Sequence, residues 1–543
     1  MTSQNPYRLP RHILPKHYAI ELEPDLAAGS FDGQVVIDLE VITETDTIVL
    51  NAVELEIEDV RVEQDDSVPA SSILMNEDLE RAEFSLPIVL QPGPARLFCS
   101  FKGILNDKLR GFYRSTWSDD AGNEHVIATT QFESTNARRA FPCFDEPDLK
   151  ASFGVTLRVD DSLMTVSCGE LISSAQLEDG RREDRFADTM VMSTYLVAFI
   201  VGELEATDPI DVDGVPLRIV HVPGKGDLTE FGLLAGEFSL RWLVDYYDIA
   251  YPAGKLDLIA VPDFAFGAME NLGCVTFRET LLLSDPERTT QAELTRIVDV
   301  IAHEIAHMWF GNLVTMDWWN GIWLKEAFAT FMQVATTDAF RPDWRRWDGF
   351  CIERGAAFDT DSLASTRPIE FEVVSPQDAE AMYDVLTYEK GAAVVRMLEQ
   401  FLGPDDFRSG VKHYLTTNSY ANTTTTDLWD SLEVASGVPV RAAMDTWIFQ
   451  GGHPNVFVEK SSEGVTVKQT RFGYSDIDPA SWHIPIIVRA RVGSTEIETR
   501  LLLENSEATI DLGGVPDWVV VNAGGHGFYR VTYDQGLLKA LSS

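Results

Sequence analysis

The sequence predicts a multidomain α+β protein in which strand-rich segments flank a mostly helical centre. The chain has 543 residues, and at roughly 100–200 residues per domain this length corresponds to about three or four domains. Apolar residues make up 45% of the chain and aromatic residues 10%, which is ample material for several hydrophobic cores. The spacing of the apolar residues also changes twice along the chain.

The first part of the chain, up to about residue 205, contains short runs in which polar and apolar residues alternate between Gly, Pro and Asp. Such alternation predicts half-buried β-strands, and examples are residues 18–22, 35–42, 82–86 and 153–159. We therefore predict an N-terminal β-sheet domain over residues 1–206, with a sandwich-like or saddle-like form.

The central part has the longer apolar spacing that is typical of helices. Helices are predicted at residues 290–310, 324–340, 388–402 and 426–436. Alternation returns later, at residues 455–460, 465–470, 484–491 and 518–522. The pattern therefore predicts a mostly helical domain over residues 207–452 and a small β-domain over residues 453–543, with residues 535–543 beginning a further helix.

The charge is strongly acidic, with 86 Asp and Glu against 43 Lys and Arg and a formal net charge of −43. This charge repels phosphates, so nucleic acid and an anionic membrane surface are not expected as partners. Acidity with few lysines is typical of proteins kept soluble in high salt. It is equally typical of a genome-wide compositional bias, in which the acids form a solvated coat. The sequence leaves both explanations open.

The location is predicted from what the sequence contains. Residues 1–24 have no apolar core of the kind that a secretory signal needs, and the longest apolar stretch, residues 190–201, is too short to span a bilayer. The five cysteines are few, odd in number and scattered, as expected for thiols in a reducing compartment. We therefore predict a cytoplasmic protein with no membrane partner.

A His-Glu-x-x-His pattern formed by His303, Glu304 and His307 predicts a metal site. A capping box beginning at Thr290 indicates that the pattern lies on a helix, where positions four apart share a face and both imidazoles can point at one ion. Glu326 follows His307 after 18 residues and can supply a third ligand. Two imidazoles, one carboxylate and an open position are typical of catalytic zinc. Taken alone, the pattern is also compatible with two hydrogen-bonded histidines on a half-buried helix.

Further runs surround this pattern. They are Thr-Gln-Phe-Glu at 130–133, Phe-Pro-Cys-Phe-Asp-Glu-Pro at 141–147, Gly-Ala-Met-Glu-Asn at 267–271, Trp-Phe-Gly-Asn-Leu-Val-Thr at 309–315 and Tyr-Glu-Lys-Gly-Ala at 388–392. With them, nearly the whole chain resembles the gluzincin aminopeptidases of the M1 family. The resemblance implies a β-saddle domain, a thermolysin-like catalytic domain and a small β-sandwich. It also implies one Zn²⁺ held by His303, His307 and Glu326, and removal of N-terminal residues from peptides.

The resemblance implies a role for each residue of the reaction. Glu304 is expected to act as general base and then general acid, and Tyr388 to donate its hydroxyl to the developing oxyanion. Glu133 and Glu270 are expected to bind the free amine of a peptide substrate. Tyr383 is a weaker candidate that is equally compatible with packing of the pocket wall.

The remaining predicted substrate contacts lie in or beside the Gly-Ala-Met-Glu-Asn run and the Gln-Phe-Glu run. They are Gly267, Ala268, Met269, Asn271, Phe266 and Gln131. The backbone of the first three is expected to pair with the substrate main chain, since glycine permits a close approach. Phe266 and Gln131 are expected to line the first side-chain pocket and to favour apolar or long side chains, whereas Met269 is also compatible with plain packing.

The chain departs from the family pattern in two ways. The family commonly has Asn and Gly beside the third ligand, whereas this chain has Lys325 and Ala327; neither binds metal, but Lys325 adds a charge near the site. Full-length relatives usually continue into a large helical domain over the active site. This chain ends soon after residue 531, so we expect that domain to be lacking, either by truncation or in a short family member with an open site.

Two other functions remain to be weighed against a broad-specificity zinc aminopeptidase. An epoxide-hydrolysing relative would use the same zinc on another bond, but the amine-binding pair Glu133 and Glu270 argues against it. A binding protein that has lost catalysis would need a broken ligand set, and all five of His303, Glu304, His307, Glu326 and Tyr388 are present. The oligomeric state is not predicted.

Overall fold

The computed structural model describes residues 5–119, 121–475 and 478–542. In these residues a β-rich N-terminal part is followed by a mainly helical part and then by a second strand-rich part, in the predicted order. The saddle and sandwich shapes, and the domain boundaries after residues 206 and 452, stay predictions. Among the described residues no helix is both long and apolar enough to cross a membrane, and the cytoplasmic location also stays a prediction.

The N-terminal part contains strands β1–β15. Their bounds are β1 (Ile13–Asp25), β2 (Ser30–Val41), β3 (Thr45–Asn51), β4 (Glu56–Glu63), β5 (Ser67–Pro69), β6 (Ser72–Asn76), β7 (Arg81–Leu90), β8 (Gly93–Ile104), β9 (Gly111–Ser118), β10 (Glu124–Gln131), β11 (Ser152–Asp160), β12 (Met164–Ser167), β13 (Leu171–Gln176), β14 (Arg181–Phe186) and β15 (Phe199–Gly202). They form an eight-stranded sheet in the order β13-β14-β11-β1-β2-β8-β4-β5, a four-stranded sheet β12-β15-β10-β9 and a three-stranded sheet β3-β7-β6.

Alternation explains why these segments are strands. In β1 the side chains of Tyr18, Ile20 and Leu22 are buried on one face, while Glu21 and Glu23 lie on the other. β1 pairs antiparallel with β2 and parallel with β11, so it lies in the middle of the large sheet. The four-stranded sheet matters most for function, because β10 ends at Gln131, directly before Phe132 and Glu133.

The next part begins with a sheet that the sequence pattern did not reveal. Its strands are β16 (Glu205–Ala206), β17 (Ile210–Val212), β18 (Val215–His221), β19 (Leu256–Val261), β20 (Ala268–Met269) and β21 (Cys274–Arg278). They follow the order β16-β18-β19-β21-β20, with β17 paired to β18. All six residues of β19 are buried, so this strand has no polar face and no alternation to detect. β20 lies at one edge of the sheet.

Nine helices in the described residues follow or interrupt this sheet. Their bounds are α1 (Glu230–Tyr247), α2 (Gln291–Ala306), α3 (Ile322–Phe340), α4 (Arg346–Asp361), α5 (Pro376–Glu380), α6 (Gly391–Leu402), α7 (Pro404–Thr417), α8 (Thr425–Ser436) and α9 (Val440–Ile448). A two-stranded ladder joins β22 (Thr315–Met316) to β23 (Asn422–Thr423). α3 is buried along most of its length and packs against α1, α2, α4 and α6, which makes it the central helix.

The last part contains strands and one helix. They are β24 (His453–Lys460), β25 (Gly464–Phe472), β26 (Ile484–Val492), β27 (Thr495–Leu503), β28 (Glu507–Asp511), β29 (Trp518–Val521), β30 (Arg530–Tyr533) and α10 (Gln535–Leu541). The strands form two sheets, β28-β25-β24-β30 and β27-β26-β29. β24 begins directly after Gly452, and the ring centre of its first residue, His453, lies 4.8 Å from that of Phe358 on α4.

Candidate active site

The His-Glu-x-x-His pattern lies at the end of α2. The predicted capping box is confirmed. Thr290 Oγ1 accepts a hydrogen bond from the Glu293 N–H, and the Glu293 carboxylate accepts one from the Thr290 N–H at 2.8 Å. The predicted extent of the helix is wrong at its C-terminus, because α2 ends at Ala306 rather than at residue 310. Beyond Ala306 the chain continues in turns, and there His307 Nδ1 bonds the Phe310 carbonyl oxygen at 2.8 Å.

Three side-chain atoms converge at this helix end. His303 Nε2 and His307 Nε2 lie 3.0 Å apart, and Glu326 Oε2 on α3 lies 3.2 and 3.4 Å from them. Zinc–ligand distances of about 2.0–2.2 Å would place tetrahedral ligand atoms roughly 3.3 Å apart. All three side chains are buried, and the observed spacing fits a single metal ion.

The other ring nitrogen of each histidine is also held. His303 Nδ1 lies 3.2 Å from Gln333 Oε1, and His307 Nδ1 lies 2.8 Å from the Phe310 carbonyl oxygen. Both partners accept hydrogen bonds, so each Nδ1 carries the proton and each Nε2 presents a lone pair to the shared point. Gln333 was not predicted. It follows Glu326 by seven residues on α3, a helical spacing that could have identified it.

The electrostatics of this point favour a cation. Burial lowers the pKa of His303. Burial also acts to lower the pKa of His307, but the carboxylates of Glu270 and Glu326 outweigh it and raise the value to about 9. The same negative field that attracts a proton to His307 attracts a metal ion in its place.

A second group of charges lies beside the triad. Lys325 Nζ lies 2.5 Å from Glu133 Oε1, 2.5 Å from Glu270 Oε1 and 2.7 Å from Glu326 Oε1. The two oxygens of Glu326 therefore have different partners: Oε2 faces the histidines and Oε1 faces the lysine. We call Lys325 and these three glutamates the amine-end cluster. The sequence had suggested only that Lys325 adds a charge nearby; the structure places it in contact with both predicted amine ligands.

The amine-end cluster is strongly coupled because it is buried. Burial acts to lower the pKa of Lys325, but three carboxylates outweigh it and raise the pKa well above its ordinary value. Burial acts to raise the pKa of Glu326, yet the Lys325 ammonium and His307 hold it well below its ordinary value. Glu133 behaves differently, since burial and the neighbouring Glu270 raise its pKa to about 8. One ammonium thus compensates the three carboxylates incompletely.

Both groups open onto one cavity of about 560 Å³. Nearly all of the predicted substrate and catalytic residues line it together with the triad: Gln131, Glu133, Phe266, Gly267, Ala268, Met269, Glu270, Glu304, Tyr383 and Tyr388. Asn271 does not. It is buried behind the cavity wall, and its side-chain amide donates to Thr276 Oγ1 at 3.1 Å. Its contribution is therefore to the shape of the Gly-Ala-Met-Glu-Asn run.

The predicted first side-chain pocket corresponds to the part of the cavity between that run and β10. β20, which contains Ala268 and Met269, pairs on one side only, with β21. Gln131 Nε2 donates to Met269 Sδ at 3.5 Å, which ties the end of β10 to β20. Phe266 is 44% exposed, and its ring centre lies 6.3 Å from that of Tyr383. A free strand edge thus lies beside an aromatic wall.

Glu304 and Tyr388 occupy the cavity wall next to the triad. Glu304 is buried, with a carboxylate oxygen in one compact group with His307 Nε2 and a Glu270 oxygen, and burial raises its pKa well above the ordinary value. The Tyr388 ring centre lies 6.1 Å from that of His303. Tyr388 belongs to a turn of π-helix, Leu386–Lys390, and burial raises its pKa so that its hydroxyl stays a hydrogen-bond donor.

We call the part of the cavity wall that contains Glu389 and the charged groups acting on it, Arg296, Glu353 and Asp384, the opposite end. Eight residues of the cavity wall were not predicted. They are Arg296, Val300, Thr330, Gln333, Glu353, Asp384, Val385 and Glu389. Arg296 and Val300 precede His303 and His307 by seven residues, so helical spacing could have identified them. Glu353 on α4 and Glu389 beside Tyr388 carried no such signal, because only the tertiary structure brings them to the cavity.

Two protein-family models match the N-terminal part and the helical part of this chain. Residues 14–196 match the family model described as the peptidase M1 N-terminal domain. Residues 233–447, which include the histidine pair, Glu326 and Tyr388, match the model described as the peptidase family M1 domain.

Several curated relatives are similar along almost all of this chain. A puromycin-sensitive aminopeptidase of Caenorhabditis elegans is 40% identical over 98% of the chain, which spans 58% of that relative. Aminopeptidase M1 of Arabidopsis thaliana is 37% identical over 98% of the chain and 63% of its own length. Alanine/arginine aminopeptidase of Saccharomyces cerevisiae is 37% identical over 97% of the chain and 62% of its own length. The two matched domains and these relatives agree, and the chain belongs to peptidase family M1.

Proposed function

We propose that this protein is a zinc-dependent aminopeptidase that removes residues one at a time from the free N-terminus of peptides. The observation that carries the proposal is the common cavity: the triad of His303, His307 and Glu326 opens onto the same space as the paired carboxylates of Glu133 and Glu270. A metal-centred site for hydrolysis thus lies directly beside a site for an ammonium group. A chain interior has no such charge, so only a chain terminus is held in place.

The amine-end cluster supports recognition of the substrate terminus. The α-amino group has an ordinary pKa near 8 and is largely protonated at neutral pH. Buried carboxylates that donate no hydrogen bond of their own are its natural partners. The side chains of Glu133 and Glu270 are buried and contact one ammonium group, that of Lys325, which supports their assignment as partners of a second ammonium group. An incoming substrate amine shares these carboxylates with Lys325.

The edge strand supports alignment of the substrate backbone. β20 pairs with β21 on one side, and an extended peptide can add to its other side by main-chain hydrogen bonds, as peptides do on other sheet edges. Gly267 directly precedes the strand and leaves room for a close approach. The first side chain of the substrate would then meet Gln131, Phe266 and Tyr383, a wall of two aromatic rings and one amide that suits apolar or long side chains.

The catalytic residues are assigned by position and charge. Zinc bound by His303, His307 and Glu326 would supply Lewis acidity for the scissile carbonyl and for the attacking water. Glu304 is assigned as the general base that removes the proton of the water and then delivers it to the leaving nitrogen, because its carboxylate lies on the cavity wall in one compact group with His307 of the triad and Glu270. Tyr388 is assigned as the hydroxyl donor to the oxyanion, a contribution typically worth about 3–4 kcal/mol.

Release of a chromophore from aminoacyl anilides tests the proposal. The purified chain, loaded with zinc, should release the chromophore, and a chelator should abolish the release. Glu304→Ala should lower kcat by about 1,000-fold or more, because it removes the proton acceptor, while zinc content measured by atomic emission stays near one per chain.

A matched control is Glu353→Gln, which alters a half-exposed carboxylate lining the opposite end of the same cavity. Its kcat should stay within about twofold of the parent value. Turnover by Glu304→Ala at a rate near that of the parent, with zinc retained, is incompatible with the assigned mechanism. Hydrolysis that survives complete removal of the metal is incompatible with the proposed enzyme class.

A further inference from the structure

The turn that carries Tyr388 is held from behind by a buried ion pair. Lys390, two residues after Tyr388, ends the π-helical turn and is completely buried. Its Nζ lies 2.9 Å from Oδ2 of Asp361, the last residue of α4, which is also completely buried. Neither residue lines the cavity, so neither can touch a substrate.

Asp361 connects this pair to the C-terminal strands. Its Oδ1 accepts a hydrogen bond from the Gly452 N–H at 2.8 Å and another from Thr366 Oγ1 at 2.7 Å. Lys390 Nζ in turn donates to the Gly452 carbonyl oxygen at 3.1 Å. Gly452 directly precedes β24, so both peptide groups of the residue that begins the last part of the molecule bind this ion pair.

The other end of the turn is fixed by a second ion pair. Asp384 Oδ1 accepts from the backbone N–H groups of Leu386 at 2.9 Å and Thr387 at 3.2 Å. Arg367 Nη2 donates to the same oxygen at 2.7 Å. Arg367 and Thr366 belong to the segment that follows α4, and the Asp361 pair therefore anchors to the same segment. Tyr388 thus lies between two ion pairs, Asp384–Arg367 and Lys390–Asp361, that both contact residues 366–367.

A third contact prevents the turn from moving towards α3. Gly391 follows Lys390, and a Cβ atom placed on it would stand only 2.5 Å from the Cβ of Ala327 on α3. A π-helical turn is an uncommon geometry that recurs at functional sites and needs surrounding structure to hold it. Burying a lysine and an aspartate is costly in itself, and such pairs are therefore better explained by a unique arrangement than by added stability.

We propose that Lys390 and Asp361 are positioning residues that hold the Tyr388 hydroxyl at the cavity and couple the C-terminal strands to turnover. The inference rests on the proposed role of Tyr388. Removing the ammonium releases one end of the π-helical turn, and a displacement of about 1 Å can lower a rate by about 100-fold. The amine-end cluster and the metal ligands lie outside this network, so substrate affinity and zinc content are unaffected.

A double-mutant cycle between Lys390→Met and Tyr388→Phe, in the full zinc-loaded chain, tests the inference. Lys390→Met alone should lower kcat by tenfold or more, with KM within about twofold and zinc content unchanged. In the Tyr388→Phe background the same substitution should change kcat by less than about twofold, because the hydroxyl that it positions is already gone. A merely destabilising substitution would lower both backgrounds equally.

The chain offers a matched control in Lys255→Met. Lys255 is also buried, lies 2.8 Å from one aspartate, Asp257, and donates to one backbone carbonyl oxygen, that of Gly273 at 2.7 Å. It lies beside β19, away from the π-helical turn. Its effect on kcat, whatever the size, should add to that of Tyr388→Phe. If Lys390→Met yields no folded protein, Asp361→Asn replaces it in the cycle, since an amide retains the acceptor for Gly452 and Thr366.

The outcomes separate the inference from the proposed function. A large loss with Tyr388→Phe together with an additive effect of Lys390→Met, or of Asp361→Asn where that variant replaces it, overturns the inference and leaves the aminopeptidase standing. A loss expressed mainly in KM or in zinc content overturns it as well. If Tyr388→Phe alone leaves kcat unchanged, the assigned role of Tyr388 fails, and the inference fails with it.

Discussion

The carboxyl groups at the two ends of the cavity differ in whether they form ion pairs. At the amine end, Lys325 lies within 2.7 Å of three carboxylates, and its neighbour Glu326 keeps a pKa well below the ordinary value. At the opposite end, Glu389 takes part in no ion pair among the described residues, and burial raises its pKa to about 7. Both ends are lined by carboxyl groups and have a cation nearby, but Lys325 contacts three carboxylates, whereas Arg296 acts on Glu389 without forming an ion pair with it.

Because of this difference, the charges at the two ends respond differently to pH. Mutual compensation keeps Lys325 and Glu326 charged over the whole physiological pH range, whereas Glu133 beside them, with a pKa of about 8, is the member of the cluster that can change its charge. The opposite end gains a negative charge as the pH rises through neutrality. We expect substitutions at the amine end to change substrate recognition strongly and substitutions at the opposite end to change mainly the response to pH.

Among the substitutions that test this difference between the two ends, Glu270→Gln should have the largest effect. The substitution leaves an incoming α-ammonium with one fewer charged partner in a buried pocket, a loss typically worth about 2–5 kcal/mol. The kcat/KM for aminoacyl anilides should fall by about 100-fold, measured by chromophore release. N-acetylated substrates carry no ammonium, and their much slower hydrolysis should be nearly unchanged. An equal loss on free and blocked substrates would contradict the assigned role of Glu270.

Lys325→Met should produce the next largest effect, and in the opposite direction. Methionine retains much of the apolar stem but removes the ammonium, so the carboxylates that held it turn to the substrate amine instead. KM for aminoacyl anilides should fall by about tenfold, a gain of about 1.4 kcal/mol. Lys325→Arg is the control: it keeps the positive charge, so its KM should stay close to that of the parent. A KM that is unchanged or raised in Lys325→Met would show that the ammonium does not compete with the substrate.

The sequence predicted the parts of this site that depend on local periodicity. The helical spacing of His303 and His307, the capping box at Thr290 and the alternating strands of the N-terminal sheet follow from rules that act over a few residues. The same rules failed for β19, which is buried on both faces, and for the end of α2, which stops at Ala306 although the apolar spacing continues to residue 310.

Lys325 shows why the rest could not be predicted. Its position beside Glu326 was visible, but the direction of a long side chain depends on partners that are distant in sequence, here Glu133 from the end of β10 and Glu270 from the edge strand. Lys390 is the same case at the back of the cavity, where its partners Asp361 and Gly452 come from other elements. Pairings of this kind become visible only when the fold brings the elements together.

Glu389→Gln should have the smallest effect, and its signature is a dependence on pH. Burial raises the folded-state pKa of Glu389 to about 7, above the ordinary value of about 4.3. A raised pKa means that the folded protein binds this proton more tightly than the unfolded chain does. The resulting stabilisation is complete below about pH 4.3 and disappears as the pH rises through about 7. Glutamine does not ionise, so it carries no such loss.

The Tm of Glu389→Gln relative to the parent should therefore increase steadily between pH 5 and pH 8, by a few degrees at most, in thermal unfolding followed by circular dichroism. The control is Glu353→Gln, which changes a half-exposed carboxylate at the same end of the cavity. Glu133→Gln is not a suitable control, because Glu133 contacts Lys325. A Tm difference that stays constant across this pH range would mean that Glu389 does not titrate there. The contrast between the Lys325–Glu326 pair, which stays charged, and Glu389, which titrates near neutrality, would then be lost.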